Sequence, residues 1–192
     1  MAQDFKILID KFIEKNSQIN LSGIKDREWI YYKHILDSLE VQNILDFPSY
    51  SNIVDIWTGW GFPMLPLACQ NPDCNFTWLE SKKKKTEAVN QLIREVWLNN
   101  ANCIRERSEN HTQQYDFLTA RAVCYADKLL KQIKHIPKEN WKIILYKQKS
   151  HEEYEVLQKN CRKYNFRIEK IHNYKLFADD IERIIYILSK TS

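Results

Sequence analysis

The stretch Ile53-Val54-Asp55-Ile56-Trp57-Thr58-Gly59-Trp60-Gly61-Phe62-Pro63 constrains the fold most, because it holds two of the only three glycines in the chain. Glycine lets backbone pass through φ > 0 or come close to another group. Two of them alternating just after a β-branched run form a strand-to-helix turn with room beside it. Ile53, Val54 and Ile56 read as a fully buried strand, and Phe62 to Ala68 as a helix start with Pro63 tolerated in the first turn. This is the first half of a βαβ unit. A lone pair of glycines is more often a tight connection with no ligand. About 25 residues on, however, Asn75-Phe76-Thr77-Trp78-Leu79-Glu80 is a second strand-like run ending in a carboxylate. That is the place from which a doubly wound sheet grips ribose hydroxyls. The third, helix-packing glycine of the nicotinamide fingerprint is missing, which argues against a dehydrogenase.

The alternation continues along the chain. Ser81 is placed to cap a helix running to about Leu98, with Ala88, Val89, Leu92, Ile93, Val96 and Trp97 on one face. Asn102-Cys103-Ile104-Arg105 predicts a third strand, Gln114 to Ala122 a fourth and Trp141 to Lys147 a fifth, with a helix over Glu152 to Lys163. Asn165 to Ile171 and Ile181 to Leu188 read as two paired strands. Before all of these, Phe5, Ile7 to Ile9 and Phe12-Ile13 recur at helical spacing, as do Trp29-Ile30, Ile35, Leu36 and Leu39. The order predicts an α/β fold with a mostly parallel sheet closed by an antiparallel strand. Residues 1–50 form a helical cap and 51–192 the core, within one domain over 1–192.

A chain of 192 residues with 44% hydrophobic and 28% charged residues is an ordinary globular protein. No apolar run approaches the roughly 20 residues of a membrane span, and Met1-Ala2-Gln3-Asp4 begins no signal peptide. Five cysteines without a Cys-x-x-Cys pair suggest neither disulfides nor a metal site, and point to a reducing cytoplasm. The net charge of +4 is a weak signal for nucleic acid. Clustering says more: Lys128, Lys131, Lys134 and His135 share one helical face, followed by Lys138, Lys142, Lys147 and Lys149. Such a group suits phosphate contacts, although a solvated face accounts equally well for any one lysine. Lys82 to Lys85 crowd a helix start, where cations oppose the macrodipole. Arg121 stands at the carboxyl end of the fourth strand, on the edge where open α/β sheets bind ligands; alone, it reads as a surface ion pair. Asp37 lies on a helix that packs against the sheet and must find a partner there.

Several segments together resemble one family. Asp55 to Leu67 is similar to the first motif of class I methyltransferases, in particular of the bacterial small-subunit ribosomal RNA guanine-N7 methyltransferases, the RsmG or GidB family. Asn20-Leu21-Ser22, His34-Ile35-Leu36-Asp37-Ser38-Leu39, Glu80-Ser81 with the lysines after it, Arg107-Ser108-Glu109, Arg121-Ala122 and Leu145-Tyr146-Lys147 follow in the family's order. The resemblance implies a Rossmann-like sheet, S-adenosyl-L-methionine as cofactor, and the 16S rRNA of the small ribosomal subunit as partner. It places Asp55, Trp57, Gly59, Gly61, Phe62, Glu80, Ser108, Glu109 and Arg121 at the cofactor, and makes Arg121 and Lys147 the candidate catalytic residues. It sets His34, Asp37 and Ser38 beside the pocket as substrate contacts, although a packing layer accounts for His34 taken alone. Lys128 and Lys131 join the substrate contacts from the charge clustering.

The implied chemistry asks little of side chains. Guanine N7 carries an in-plane lone pair and no proton, so no general base is needed and catalysis is mostly positioning, which can contribute roughly 7 to 11 kcal/mol. No membrane or metal is implied, and a monomer is expected. Three positions depart from the family: Trp57 replaces the first glycine of the motif, Trp60 a small residue, and Gln148 the glycine after the late lysine. An indole at position 57 either swings out of the cleft or narrows the methionine half of the site, with Trp60 and Met64 repacking around it. Two alternatives stay open: a class I methyltransferase of small molecules, and a silent RNA-binding relative whose cleft these tryptophans fill.

Overall fold

The structure, a computed structural model, describes residues 5–20, 22–56, 59–121, 126–133, 135–176 and 180–191. Seven strands make one sheet: β1 (Asn52–Ile56), β2 (Asn75–Leu79), β3 (Ala101–Ile104), β4 (Tyr115–Arg121), β5 (Pro137–Gln148), β6 (Phe166–Lys175) and β7 (Glu182–Lys190). Their order is β3-β2-β1-β4-β5-β7-β6. β1 to β5 pair parallel, and β7 runs antiparallel to both β5 and β6. The expected α/β fold with an antiparallel closure is therefore borne out. Strand order reverses between β1 and β4, the switch point at which open α/β sheets leave a crevice beyond their carboxyl ends.

The helices divide between the two faces because successive strand side chains point opposite ways. Ile53, Phe76 and Phe117 join a core with α1 (Lys6–Ile19), α2 (Arg27–Ile30), α4 (Met64–Gln70) and α5 (Lys83–Glu95). Val54, Ile56 and Leu118 join a second core with α6 (Ala126–Ile133) and α7 (His151–Lys163) on the other face. The expected cap comprises α1, α2, a π-helical turn (Tyr31–Leu36), α3 (Asp37–Leu39) and a 3-10 turn (Glu40–Asn43). Asp26 caps α2 by accepting from the Glu28 and Trp29 amides. Asn16 is buried and organises the turn after α1: its amide donates to the Ser22 and Ile24 carbonyls, and its oxygen accepts from the Ser22 amide.

Several boundaries differ from the sequence reading: α5 ends at Glu95 rather than about Leu98, leaving Trp97 71% exposed instead of on the apolar face, β5 begins at Pro137 rather than Trp141, and β6 runs to Lys175 rather than Ile171. Ser81 does not cap α5; the N-cap position is Lys82, with no side-chain cap. The Ser81 hydroxyl instead donates toward the Glu80 carboxylate at 3.5 Å. The helix after the glycine turn begins at Met64 rather than Phe62, with Pro63 at its N-cap. Gly61 sits at φ 96° and the Leu65 amide donates to its carbonyl at 2.7 Å, so the turn itself takes up the residues between.

The two glycines are needed for different reasons. Both have positive φ, 59° at Gly59 and 96° at Gly61. A Cβ on Gly59 would meet nothing within 4 Å, whereas one on Gly61 would lie 2.4 Å from Cδ1 and 2.9 Å from Cγ of the fully buried Leu65. Gly59→Ala therefore carries only the left-handed backbone cost, about 1 kcal/mol. Gly61→Ala adds overpacking and a less accessible φ, for about 2 to 4 kcal/mol. Urea unfolding of both variants should show Gly61→Ala clearly the weaker; equal losses contradict this account of the turn.

Candidate active site

The glycine turn and Glu80 open on the same edge of the sheet. β1 and β2 are parallel with Asp55 beside Trp78, and Glu80 follows the last residue of β2. Glu80 is 9% exposed. One carboxylate oxygen accepts from the Lys82 amide at 2.8 Å, and the other faces the Lys85 ammonium at 4.0 Å. That ammonium lies 4.7 Å from the centre of the Trp60 ring, a cation–π distance. The lysine run at the start of α5 is thus tolerated partly because Glu80 draws one of its cations back toward the strand end.

Asp55 is fully buried. The register sets it opposite Thr119, whose hydroxyl donates to Oδ1 at 2.6 Å, while Oδ2 has no partner among the described residues. Burial holds its pKa well above the ordinary carboxylate value, more than the Thr119 bond and the Arg121 charge lower it. Trp57, with the narrowing expected from it, lies outside the described residues. Trp60 is half-buried against the cap-side core, and Met64 is buried within it.

The next loop carries Ser108 and Glu109. Ser108 is buried in a 3-10 turn (Ser108–Asn110), and its carbonyl accepts from His135 Nε2 at 3.1 Å. His111 pins the same loop, with Nδ1 2.5 Å from Glu106 and Nε2 2.9 Å from the Tyr115 hydroxyl. Glu109, Lys128, Lys131, Gln132 and His135 line a depression of about 430 Å³. α6 exposes Lys128 and Lys131 because it buries Leu129, Leu130 and Ile133. Lys134 lies outside the described residues.

On the other side of the switch point, a cleft of about 540 Å³ is lined by Asp37, Arg121, Tyr146, Lys147, Tyr174 and Arg183, among others. Asp37 is 3% exposed and has found its partners. Arg121 Nη2 lies 2.9 Å from Oδ2; Arg183 Nε lies 3.2 Å from Oδ1, to which the Tyr174 hydroxyl also donates at 2.8 Å. Arg121 donates further to the Lys33 carbonyl at 2.5 Å and to the Ser38 hydroxyl at 3.3 Å. Tyr146, beside Arg121 in the sheet, donates to the Ser38 carbonyl at 2.8 Å, and burial pushes its phenol pKa well up. Lys147 pairs with Glu153 of α7 at 2.6 Å. His34 is placed differently: its ring stacks on Phe62 at 4.7 Å, with Nε2 3.1 Å from the Ser22 hydroxyl. The ring thus packs on Phe62 after the glycine turn, while Nδ1 is buried with no partner among the described residues.

A family model described as GidB, rRNA small subunit methyltransferase G, matches residues 1–181. The chain belongs to that family. The rRNA small subunit methyltransferase G of Oceanobacillus iheyensis is 31% identical over 196 residues, covering 98% of this chain and 82% of the relative. That of Bacillus licheniformis is 28% identical over 197 residues, covering 99% and 82%. Among solved structures, MtNAS in complex with MTA and tNA aligns with a TM-score of 0.67 at 15% identity, over 96% of this chain and 71% of that one. TrmN from Thermus thermophilus aligns at 0.63 and 11%, over 81% and 48%. These two show likeness of fold. The expectation of a methyltransferase of this family is borne out.

For this family member the sequence reading left out three residues that complete the cleft: Tyr174 and Arg183 from the terminal hairpin, and Glu153 from α7. The hairpin strands read as structural closure, and only the antiparallel pairing brings their ends to the Asp37 carboxylate. Among the described residues no cluster of His, Cys, Asp and Glu could hold a metal ion, and no helix is long and apolar enough to cross a membrane.

His34 yields a pH prediction. Burial first, and the Arg121 cation second, push its pKa from the ordinary 6.5 down to about 3. The unfolded chain therefore takes up a proton between those values that the folded chain refuses, and stability falls as pH drops through that window. His34→Gln removes this proton uptake. Urea unfolding at pH 7 and pH 5 should show a smaller loss for His34→Gln than for the parent; equal losses refute a buried neutral imidazole.

Proposed function

We propose that this protein transfers a methyl group from S-adenosyl-L-methionine to N7 of a guanine in the 16S rRNA of the small ribosomal subunit. The carrying observation is the shared carboxyl edge, where the glycine turn and Glu80 open on one side of the switch point and the cleft around Arg121 on the other. The residues present fit the cofactor: a carboxylate able to accept from two ribose hydroxyls, a turn whose Gly59 leaves open space, and a buried acid at Asp55 with one oxygen unpartnered. When bound, S-adenosyl-L-methionine supplies an electrophilic methyl group on a sulfonium.

The chain's own residues then bind and orient. Glu80 holds the ribose, the loop at Ser108 and Glu109 forms the wall at the base, and the fully buried Asp55 supports the turn from below. Arg121 is fixed by three acceptors on the cap, so its guanidinium presents one geometry to the cleft. Because N7 carries no proton, none of these groups needs to take one up; Arg121 and Lys147 orient the base and balance charge. Lys128 and Lys131 contact phosphates at the exposed rim. The natural setting is the cytoplasm, and the active form a monomer. Occupation of Glu80 by its own chain favours one variation, weak cofactor binding, because a ribose must displace Lys85.

Two variants test this reading by calorimetric titration with S-adenosyl-L-methionine. Glu80→Gln loses a charge-assisted acceptor, worth about 1.5 to 3 kcal/mol, and should bind roughly tenfold or more weakly. Lys85→Met removes the competing cation and should bind several-fold more tightly. Unchanged affinity in Glu80→Gln rules out the ribose role, and methyl transfer to 16S rRNA that is undetectable even at saturating cofactor favours the silent relative.

A further inference from the structure

We infer that the outward ridge of the cap helix, built on Trp29 and Lys33, is a stacking and phosphate site for the single-stranded RNA that flanks the target nucleotide. The inference rests on the rRNA reading above and extends it to a surface away from the cofactor. From α2 through the π-helical turn to α3 the chain is continuously helical, and its inward positions Ile30 and Ile35 are fully buried. Trp29, Lys33 and Leu36 fall on the opposite side at helical spacing. Trp29 is 41% exposed, and Lys33 and Leu36 are half-buried. The Lys33 ammonium lies 4.5 Å from the centre of the Trp29 ring. One side of the indole is thus backed by a cation while a large part of it stays in water.

The ridge leads to the cleft. Eight residues on from Trp29, about 12 Å along a helix axis, is Asp37, whose carboxylate pairs with Arg121 in the cleft wall. The Lys33 carbonyl is itself an acceptor for Arg121 at 2.5 Å. A base stacked on Trp29 would therefore lie within a few nucleotides of one held in the cleft. An exposed indole next to an ammonium is the pair that single strands use, with bases on aromatic faces and phosphates on cations. Among the described residues Trp29 belongs to neither hydrophobic core, whereas Ile30 and Ile35 of the same helical stretch do.

The test uses the full-length protein and in vitro transcribed 16S rRNA, with affinity measured by filter binding over a salt series. Trp29→Ala should weaken RNA binding about tenfold, and Trp29→Phe, which keeps a stacking face, should recover most of it. Lys33→Gln should lower the slope of log affinity against log salt by about one contact. Thermal unfolding and cofactor titration of all three variants should match the parent, which separates a lost contact from a lost fold. A parent that neither binds nor methylates 16S rRNA overturns the functional reading and this inference with it. A parent that binds while Trp29→Ala binds equally well overturns this inference alone, as does a Trp29→Phe variant no better than Trp29→Ala.

Discussion

One buried carboxylate holds the cap to the sheet. Asp37 receives Arg121 from β4, Tyr174 from β6 and Arg183 from β7, and the adjoining Ser38 carbonyl receives Tyr146 from β5. Four strands thereby meet one helical turn. A buried charge without partners is expensive, and removing one member of a buried pair commonly costs about 3 to 5 kcal/mol. The cap is thus locked at the point where its position decides the shape of the cleft. The same network orients Arg121, so the group that fastens the cap also fixes a cation in the cleft wall.

The other side of the switch point is arranged on a different principle. Glu80 is satisfied by its own chain, through the Lys82 amide and the Lys85 cation, and Lys85 in turn rests near Trp60. Any hydroxyl that seeks Glu80 competes with an internal partner. Asp55 accepts from Thr119 across the β1–β4 pair, which fixes the strand end, and burial holds its carboxyl pKa well above the usual carboxylate value. The two sides of the switch point thus differ: the cleft around Arg121 is locked by several charged bonds, whereas Glu80 is held by one backbone amide and one long ion pair.

Much of this was legible in local pattern. The β-branched runs of β1 and β2, the paired glycines and the order of strand-like segments suffice for the sheet, because backbone conformation and burial depend on neighbours in sequence. The carboxylates at Asp55 and Glu80 were placed on one edge for the same reason, since each ends a strand in a parallel pair. Asp37 was marked as needing a partner, yet the identity of that partner was not readable. Tyr174 and Arg183 are 137 and 146 positions away along the chain. Nothing in a strand's own periodicity says which edge its end will reach.

Short-range competition explains the smaller discrepancies. Ser81 has the chemistry of a helix cap but sits next to Glu80, and its hydroxyl turns to that carboxylate instead. The fold sets His34 against Phe62 and Ser22, neighbours that the sequence could not name, and burial holds its pKa down to about 3. Residue order and side-chain type thus determined the strands, the turn and the chemical character of each site residue, because those properties are local. Which charges meet and which are screened by their own chain were decided only in three dimensions, because an ion pair or a stacked ring depends on distance in space and is indifferent to distance along the chain.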